Sequence, residues 1–329
     1  MSKFLILGSN SFAGSNFVDS CISLDNQVLG INRSPETSKV FLPVKNNSKK
    51  ASYKFLNLDI NKNIKEITDA IGEFKPEHIV DFAGQGMVAE SWQDPHQWYQ
   101  TNIVAKAKLH KYLINKSYLK NYVRISTPEV YGSNKNLITE DYPMNPTTPY
   151  AISHMATDLS MQALHKNFGL PIMIGRFANF YGPHQQLYRI IPKTIISILN
   201  KKVLDLHGGG KSIRAFIHAD DVSRGIMQMI NMGKTGGSYH FSPNDFYSIK
   251  DLVMMICKLM DADFNECTRV TEDRPGKDFA YLMDSSKSSS ELEWQTNISL
   301  ENGISQTIHW VKSNLDEISN LSLEYLHKE

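Results

Sequence analysis

Two short stretches hold side chains whose types and spacing suit proton transfer. The first, Tyr122-Val123-Arg124-Ile125-Ser126-Thr127-Pro128-Glu129-Val130-Tyr131-Gly132, carries two hydroxyls and a carboxylate at its end. The second, Pro149-Tyr150-Ala151-Ile152-Ser153-His154, carries a phenol and an imidazole four residues apart. A phenol accepts a hydroxyl proton when its pKa falls from about 10 toward 7, which takes roughly 4 kcal/mol of local stabilisation. A nearby cation normally supplies part of that. His154 is mostly neutral at pH 7 and lowers the Tyr150 pKa less than a fixed charge would, so Ser126 is expected to help orient the phenol. Glu129 is the candidate base for a proton on carbon, with Thr127 as a relay.

Such groups act only on an open rim. Val123 and Ile125 read as a buried strand that gives way to hydroxyls, and Pro128 suits the first position of a helical turn. Ligands of an open parallel α/β sheet sit outside the carboxyl ends of its strands, so Ser126, Thr127 and Glu129 are expected in a cleft. Tyr150 opens the next long helix, running to Phe168, and brings its phenol to the same rim.

The amino-terminal segment offers a place for a phosphate-bearing ligand. Lys3-Phe4-Leu5-Ile6-Leu7 is a continuous apolar run suited to a strand covered on both faces. It turns through Gly8-Ser9-Asn10-Ser11-Phe12-Ala13-Gly14 into a helix carrying Phe17, Val18, Cys21 and Ile22. Strand, glycine turn and helix bring backbone close to a pyrophosphate, with helix-terminal N–H groups aimed at it. Gly8 and Gly14 fill the outer places, and Ser11 stands where a middle glycine is usual. The second strand, Gln27 to Ile31, ends in Asn32-Arg33-Ser34 rather than in an acidic residue that would accept from a ribose. That end favours a 2′-phosphate, hence NADP over NAD. A third strand, Tyr53 to Leu58, ends at Asp59 and Ile60, the carboxylate being a candidate for the adenine amino group. The fourth, His78 to Phe82, closes with Ala83-Gly84-Gln85-Gly86, where small residues let a flat cofactor lie against backbone.

Residues 35 to 50 read as an irregular surface loop, and a long helix starts near Pro95. Leu170 to Phe177 makes another strand, after which the strand–helix rhythm fails around a helix from Ile190 to Leu199 and a strand from Val203 to Leu206. Arg214 to Val222 is expected to return to the sheet. The expected fold is α/β: a Rossmann-type doubly wound parallel sheet with a smaller mixed α/β subdomain. The dinucleotide-binding part takes 1–178 plus about 215–240, and the smaller part about 179–214 plus 241–329.

With 329 residues, 41% hydrophobic and 21% charged, the chain can bury a full core. A net charge of +1 gives no global field that argues for nucleic acid or an anionic membrane. Cys21, Cys257 and Cys267 lack metal-ligand spacing and an even count, and no run of 18 apolar residues occurs. A reduced, cytoplasmic protein without a metal centre is the expectation.

In their joint order, these motifs resemble the extended short-chain dehydrogenase/reductases across nearly the whole chain, and within them the nucleotide-sugar 4,6-dehydratases and their epimerase relatives. The resemblance rests on the glycine turn, the Ala83 loop, Ser126 to Gly132, Tyr150, Asn179 to Pro183, Arg214 before Asp220-Asp221-Val222, and Asp273-Arg274-Pro275-Gly276. It implies cofactor contacts from Gly8, Asn10, Ser11, Phe12, Ala13, Gly14, Asn32, Arg33, Ser34, Asp59, Ile60, Ala83, Gly84, Tyr150, His154 and Phe177. It implies a nucleotide-diphosphate sugar held by Gln85, Gly86, Asn179, Arg189, Ile190, Arg214 and Arg274, with guanidiniums on the diphosphate. The reaction implied is oxidation at C4, loss of water across C5 and C6 with Glu129 as base, and return of hydride to C6. This chain departs from the family at His154, where a lysine is usual, at Gly86, where a hydroxyl residue often touches the sugar, and at Pro128, where the TDP-glucose enzymes carry aspartate. The GDP-mannose type likewise lacks an acid there. A 4-epimerase or 4-keto reductase of the same fold would not need Glu129, and a weakened cofactor-binding protein is the third reading. The resemblance also implies a homodimer, with the helices from Pro95 and Tyr150 pairing across a two-fold axis in a four-helix bundle.

Overall fold

The computed structural model describes residues 1–134, 136–272 and 280–328. Its first half alternates strand and helix: β1 (Lys3–Leu7), α1 (Phe12–Ser23), β2 (Gln27–Asn32), β3 (Tyr53–Asn57), α2 (Ile64–Phe74) and β4 (His78–Asp81). Next come α3 (Pro95–Tyr99), a π-helical turn (Gln100–Ala105), α4 (Lys106–Leu113), β5 (Asn121–Ser126), α5 (Pro149–Phe168) and β6 (Ile172–Phe177). The second half contains β7 (Asn179–Tyr181), α6 (Ile190–Leu199), β8 (Leu204–His207), β9 (Ile213–Arg214), β10 (Phe216–His218), α7 (Ala219–Met232), β11 (Ser238–Phe241), β12 (Tyr247–Ser248) and α8 (Ile249–Leu259). It ends with α9 (Phe264–Cys267), β13 (Thr268–Thr271), α10 (Ser286–Leu292), α11 (Leu300–Ser313) and α12 (Leu315–Ile318).

Seven strands form one parallel sheet in the order β3-β2-β1-β4-β5-β6-β11. The order reverses between β1 and β4, which opens a crevice at their carboxyl ends. Period-two alternation sends Phe4 and Ile6 to one face with Phe17, Val18 and Ile226, and Leu5 and Leu7 to the other with Ile67, Leu109 and Met161. Both faces are therefore covered, as the unbroken apolar runs require. A further core joins α6, α8 and α11 through Ile195, Ile256 and Ile308.

Three expectations change. Residues 35–50 are not simply a surface loop: Val40, Leu42 and Val44 are buried at alternate positions, and 3₁₀ turns follow at Pro43–Asn46 and Lys50–Ser52. Residues 214–222 do not rejoin the central sheet. Phe216–His218 pairs in parallel with Asn179–Tyr181 as a separate ribbon, and Ser238–Phe241 takes the edge beside β6 instead. The helix from Pro95 is interrupted by its π turn, which buries Thr101 and Asn102.

Candidate active site

The glycine turn makes a tight cradle between β1 and α1. Gly8 has φ +79°, and a Cβ there would stand 2.8 Å from Ala83 N; a Cβ on Gly14 would stand 2.3 Å from Gly8 O. No side chain fits at either place, so the backbone stays bare where helix, strand and loop meet. Ser11 caps α1 by accepting from Gly14 N at 3.1 Å, which explains a serine at the middle position. The adjoining cleft is lined by Gly8, Ser11, Asn32, Arg33, Asp59, Ile60, Ala83 and Gly84. Asn10 donates to Ser34 O at 3.0 Å, and its buried Oδ1 keeps an open acceptor site. Phe12 and Ala13 are buried in the first turn of α1. These features fit a dinucleotide: bare backbone and a helix N-terminus for its diphosphate, and Arg33 and Ser34 at the end of β2 for its ribose. The Asp59 carboxylate accepts from Asn61 N at 2.8 Å and so shapes the turn that lines the cleft.

At the end of β5, Pro128–Tyr131 forms a 3₁₀ turn capped by Thr127. Glu129 N donates to Thr127 Oγ1 at 3.3 Å, while the threonine hydroxyl meets the Tyr150 phenol. Thr127, not Ser126, therefore orients Tyr150. The Ser126 hydroxyl is given to Asp158 Oδ2 at 2.7 Å, because Asp158 lies one helical turn past His154 and faces the strand. Burial first, and then the Glu129 charge, hold the Tyr150 pKa above its ordinary value; the Thr127 hydroxyl, Arg124 and Arg189 pull it down. The Tyr150 and His154 rings stand 4.6 Å apart. Burial, then Arg124 and Lys106, push His154 well down, so its imidazole is neutral.

Behind this rim lies a polar cluster that the sequence reading missed. Lys106 pairs with Asp81, and Arg176 with Asp158 at 2.8 Å, all four side chains being fully buried. Tyr122 donates to Asp81 at 2.8 Å, and Arg124 NH2 lies 3.1 Å from His154 Nδ1. Asn102, exposed to the interior by the π turn, accepts from Gln85 N at 2.8 Å and donates to Gln85 O and Ser153 Oγ. It thus ties the Ala83 loop to the helix that carries Tyr150. A charged residue inside each of two apolar strands, Asp81 and Arg124, was the available signal: buried charges require partners.

The candidate substrate residues are more dispersed. Arg189 caps the start of α6 beside Ile190, lies over the Tyr188 ring at 5.2 Å and acts on the Tyr150 phenol. Arg214 lies over the Tyr281 ring at 4.5 Å, and exposed Asn179 opens β7. Gln85 is buried, whereas a Cβ on Gly86 would meet nothing within 4 Å, leaving room beside the rim. The Phe177 ring is stacked on Phe241 at 4.4 Å in the core, which leaves only its backbone toward the strand end. Arg274 lies outside the described residues.

The family model described as GDP-mannose 4,6 dehydratase matches residues 5–307. The chain belongs to this family. Among its relatives, the dTDP-glucose 4,6-dehydratase of Escherichia coli is 28% identical, over 95% of this chain and 94% of its own. A probable dTDP-glucose 4,6-dehydratase of Sinorhizobium fredii is 27% identical over 95% and 93%. The dTDP-glucose 4,6-dehydratase of Streptomyces venezuelae, solved with NAD bound, superposes with a TM-score of 0.88 at 27% identity and covers 97% of this chain and 100% of its own. A UDP-glucose 4-epimerase of Thermotoga maritima, at 22% identity and a TM-score of 0.87 over 95% of this chain and 99% of its own, shares the fold. The cleft is crossed by residues 327 and 328 of the chain. Lys328 O accepts from Arg33 at 2.8 Å and from Gln85 at 2.9 Å, and His327 stacks on Trp98 at 5.1 Å.

Proposed function

We propose that the chain is a nucleotide-sugar 4,6-dehydratase, converting an NDP-hexose, with or without a 2-acetamido group, to the NDP-4-keto-6-deoxyhexose. The observation that carries this reading is the pairing of Glu129 with Tyr150 on one rim, bridged by Thr127. An epimerase needs the phenol but has no use for a carboxylate over C5. A nicotinamide held in this cleft would supply the hydride acceptor for C4 and the hydride donor for C6. Tyr150 accepts the C4 hydroxyl proton, with Thr127 donating to the phenolate. The C5 proton, made acidic by the C4 ketone, passes to Glu129. Pro128 offers no second acid, so protonated Glu129 hands that proton to the departing C6 hydroxyl, which leaves as water. As C6 is reduced, C5 takes a proton from solvent while Tyr150 releases to solvent the one it took from the C4 hydroxyl, so the net loss is one water.

Arg33 and Ser34 support NADP as the preferred form, although similar enzymes have been solved with NAD. Asn179, Arg189, Arg214 and Arg274 are the proposed holders of the sugar diphosphate, with Gln85 and Gly86 near the hexose. Residues 1–178 and about 215–240 form the proposed dinucleotide-binding part. A homodimer through the helices from Pro95 and Tyr150 is the proposed assembly. No helix among the described residues is long and apolar enough to cross a membrane. The reading is tested by offering GDP-, UDP-, dTDP- and CDP-hexoses and following loss of water by mass spectrometry. Deuterium at C4 should appear at C6 of the product; label that stays at C4 or is lost overturns the reading.

A further inference from the structure

Arg124 occupies an unusual place: mid-strand in β5, 1% exposed, in the covered centre of the sheet. Packing does not call for a guanidinium there, since a buried charge is tolerated only with partners and is often replaceable by an apolar side chain. The two nearby carboxylates already have other cations, Asp81 with Lys106 and Asp158 with Arg176. Arg124 stands 3.7 Å from Asp81 and 3.9 Å from Asp158, and its Nε makes no hydrogen bond. Its well-formed contact is the 3.1 Å one to His154 Nδ1.

That contact has one chemical solution. A guanidinium donates and cannot accept, so Nδ1 must be the acceptor and the imidazole proton must reside on Nε2. Protonating Nδ1 would break the bond and place a second positive charge against Arg124. His154 is thus held as a neutral Nε2–H donor with its ring beside Tyr150. The fixed positive charge comes from behind it. The cluster has three cations, Lys106, Arg124 and Arg176, against two carboxylates, so full ionisation leaves one surplus positive charge next to the phenol. From the other elements Tyr150 meets Glu129, which opposes the phenolate, and Arg189 and the Thr127 hydroxyl, which favour it. Burial and Arg124 push Lys106 toward its neutral form while Asp81 and Asp158 hold it charged, so the Lys106 charge is conditional and Arg124, 3.1 Å from His154, is the permanent charge beside that ring.

We propose that Arg124 is a positioning residue for proton transfer: it locks His154 as the Nε2–H tautomer and supplies, through it, the fixed positive charge that favours the Tyr150 phenolate. The proposal rests on Tyr150 acting as the base in the dehydratase reading, but its first test does not need turnover. In ¹⁵N-histidine spectra of the unaltered protein, with the His154 signal assigned by its loss in His154→Gln, Nδ1 should show the shift of an unprotonated acceptor. Nε2 should carry the proton, with no titration between about pH 5.5 and 9. An Nδ1–H tautomer, or an imidazolium forming near its ordinary pKa of about 6.5, overturns the proposal. The second test follows sugar-dependent reduction of bound cofactor against pH. In Arg124→Gln the acid limb should move up by about one pH unit, a tenfold loss at a fixed pH on that limb. Arg124→Gln/His154→Lys should move it back. A loss that is equal at every pH, or no return with lysine at 154, assigns Arg124 a structural role only. Should Arg124→Gln fail to fold, the spectrum of the unaltered protein still decides. If no hexose is dehydrated, the dehydratase reading falls while that spectrum still judges Arg124.

Discussion

Glu129 and Tyr150 have separable parts, and single atoms distinguish them. Glu129→Gln keeps size and hydrogen bonding but removes the base, so C5 deprotonation should slow by about 100-fold or more while C4 oxidation survives. It also removes the charge that works against the phenolate, so the first step should not suffer. Reduced nicotinamide should accumulate on the enzyme, visible by its absorbance, without release of dehydrated sugar. Tyr150→Phe should give no reduced cofactor at all. Dehydration by Glu129→Gln at a near wild-type rate would return the epimerase reading. Arg33 is tested in the same way at the other end of the cleft. Arg33→Ala should weaken NADP by about tenfold and NAD much less, since a bond to a charged phosphate contributes roughly 1.5–3 kcal/mol. Titration calorimetry showing equal weakening would count against the 2′-phosphate.

Elements place these atoms, and their buried polar contacts set a pH dependence. His110 on α4 lies 3.2 Å from the Tyr122 hydroxyl, and His240 on β11 lies 2.8 Å from that of Tyr131. Burial lowers both to about 3, with Arg176 adding to the effect at His240. Their folded pKa values lie below the unfolded one, so the unfolded chain binds more protons in between. The stability they contribute is complete above about pH 6.5 and is lost as pH falls toward 3, each costing about 1.4 kcal/mol by pH 5.5. The urea midpoint should therefore drop clearly between pH 7.5 and 5.5, and an unchanged midpoint would contradict this. Local pattern made the strands readable, because Phe4 and Ile6 alternate with Leu5 and Leu7 and Gly8 follows directly. The strand at Ser238–Phe241 was missed because Ser-Tyr-His-Phe has no apolar run, and only its bonds to β6 define it. The cluster behind Tyr150 escaped for a related reason: its members come from β4, α4, β5, α5 and β6, and no spacing in the chain brings them together.

For the whole molecule, the first question is what covers the helices beside the site. Val104 in the π turn and Ile152 and Leu159 on α5 are large apolar side chains exposed by 43%, 38% and 48%. The α5 pair is seven residues apart and so on one stripe, as a helix–helix contact requires. A two-fold pairing of this face would bury it, and sedimentation at micromolar concentration should return twice 37.3 kDa. Ile152→Glu/Leu159→Glu should shift the protein to the monomer, and a wild-type monomer would end the argument. The second question is the closing segment. Glu324 reaches Lys193 on α6 at 2.8 Å, Tyr325 packs on Tyr188 at 5.1 Å, and His327 bonds Gln97 at 2.7 Å. Lys328 then meets Arg33 and Gln85, so one strap runs from the α6 side to the end of β2. A ligand seated at the end of β2 would share the Arg33 guanidinium with Lys328 O, so the strap's last contact competes with it for that donor. Deleting residues 323–329 removes that competitor. Dinucleotide association in stopped-flow fluorescence should become faster and Kd fall by about tenfold, the worth of one hydrogen bond to a charged group. Slower release from the intact chain than from the shortened one, with weaker binding after deletion, would instead make the segment a clasp over bound cofactor.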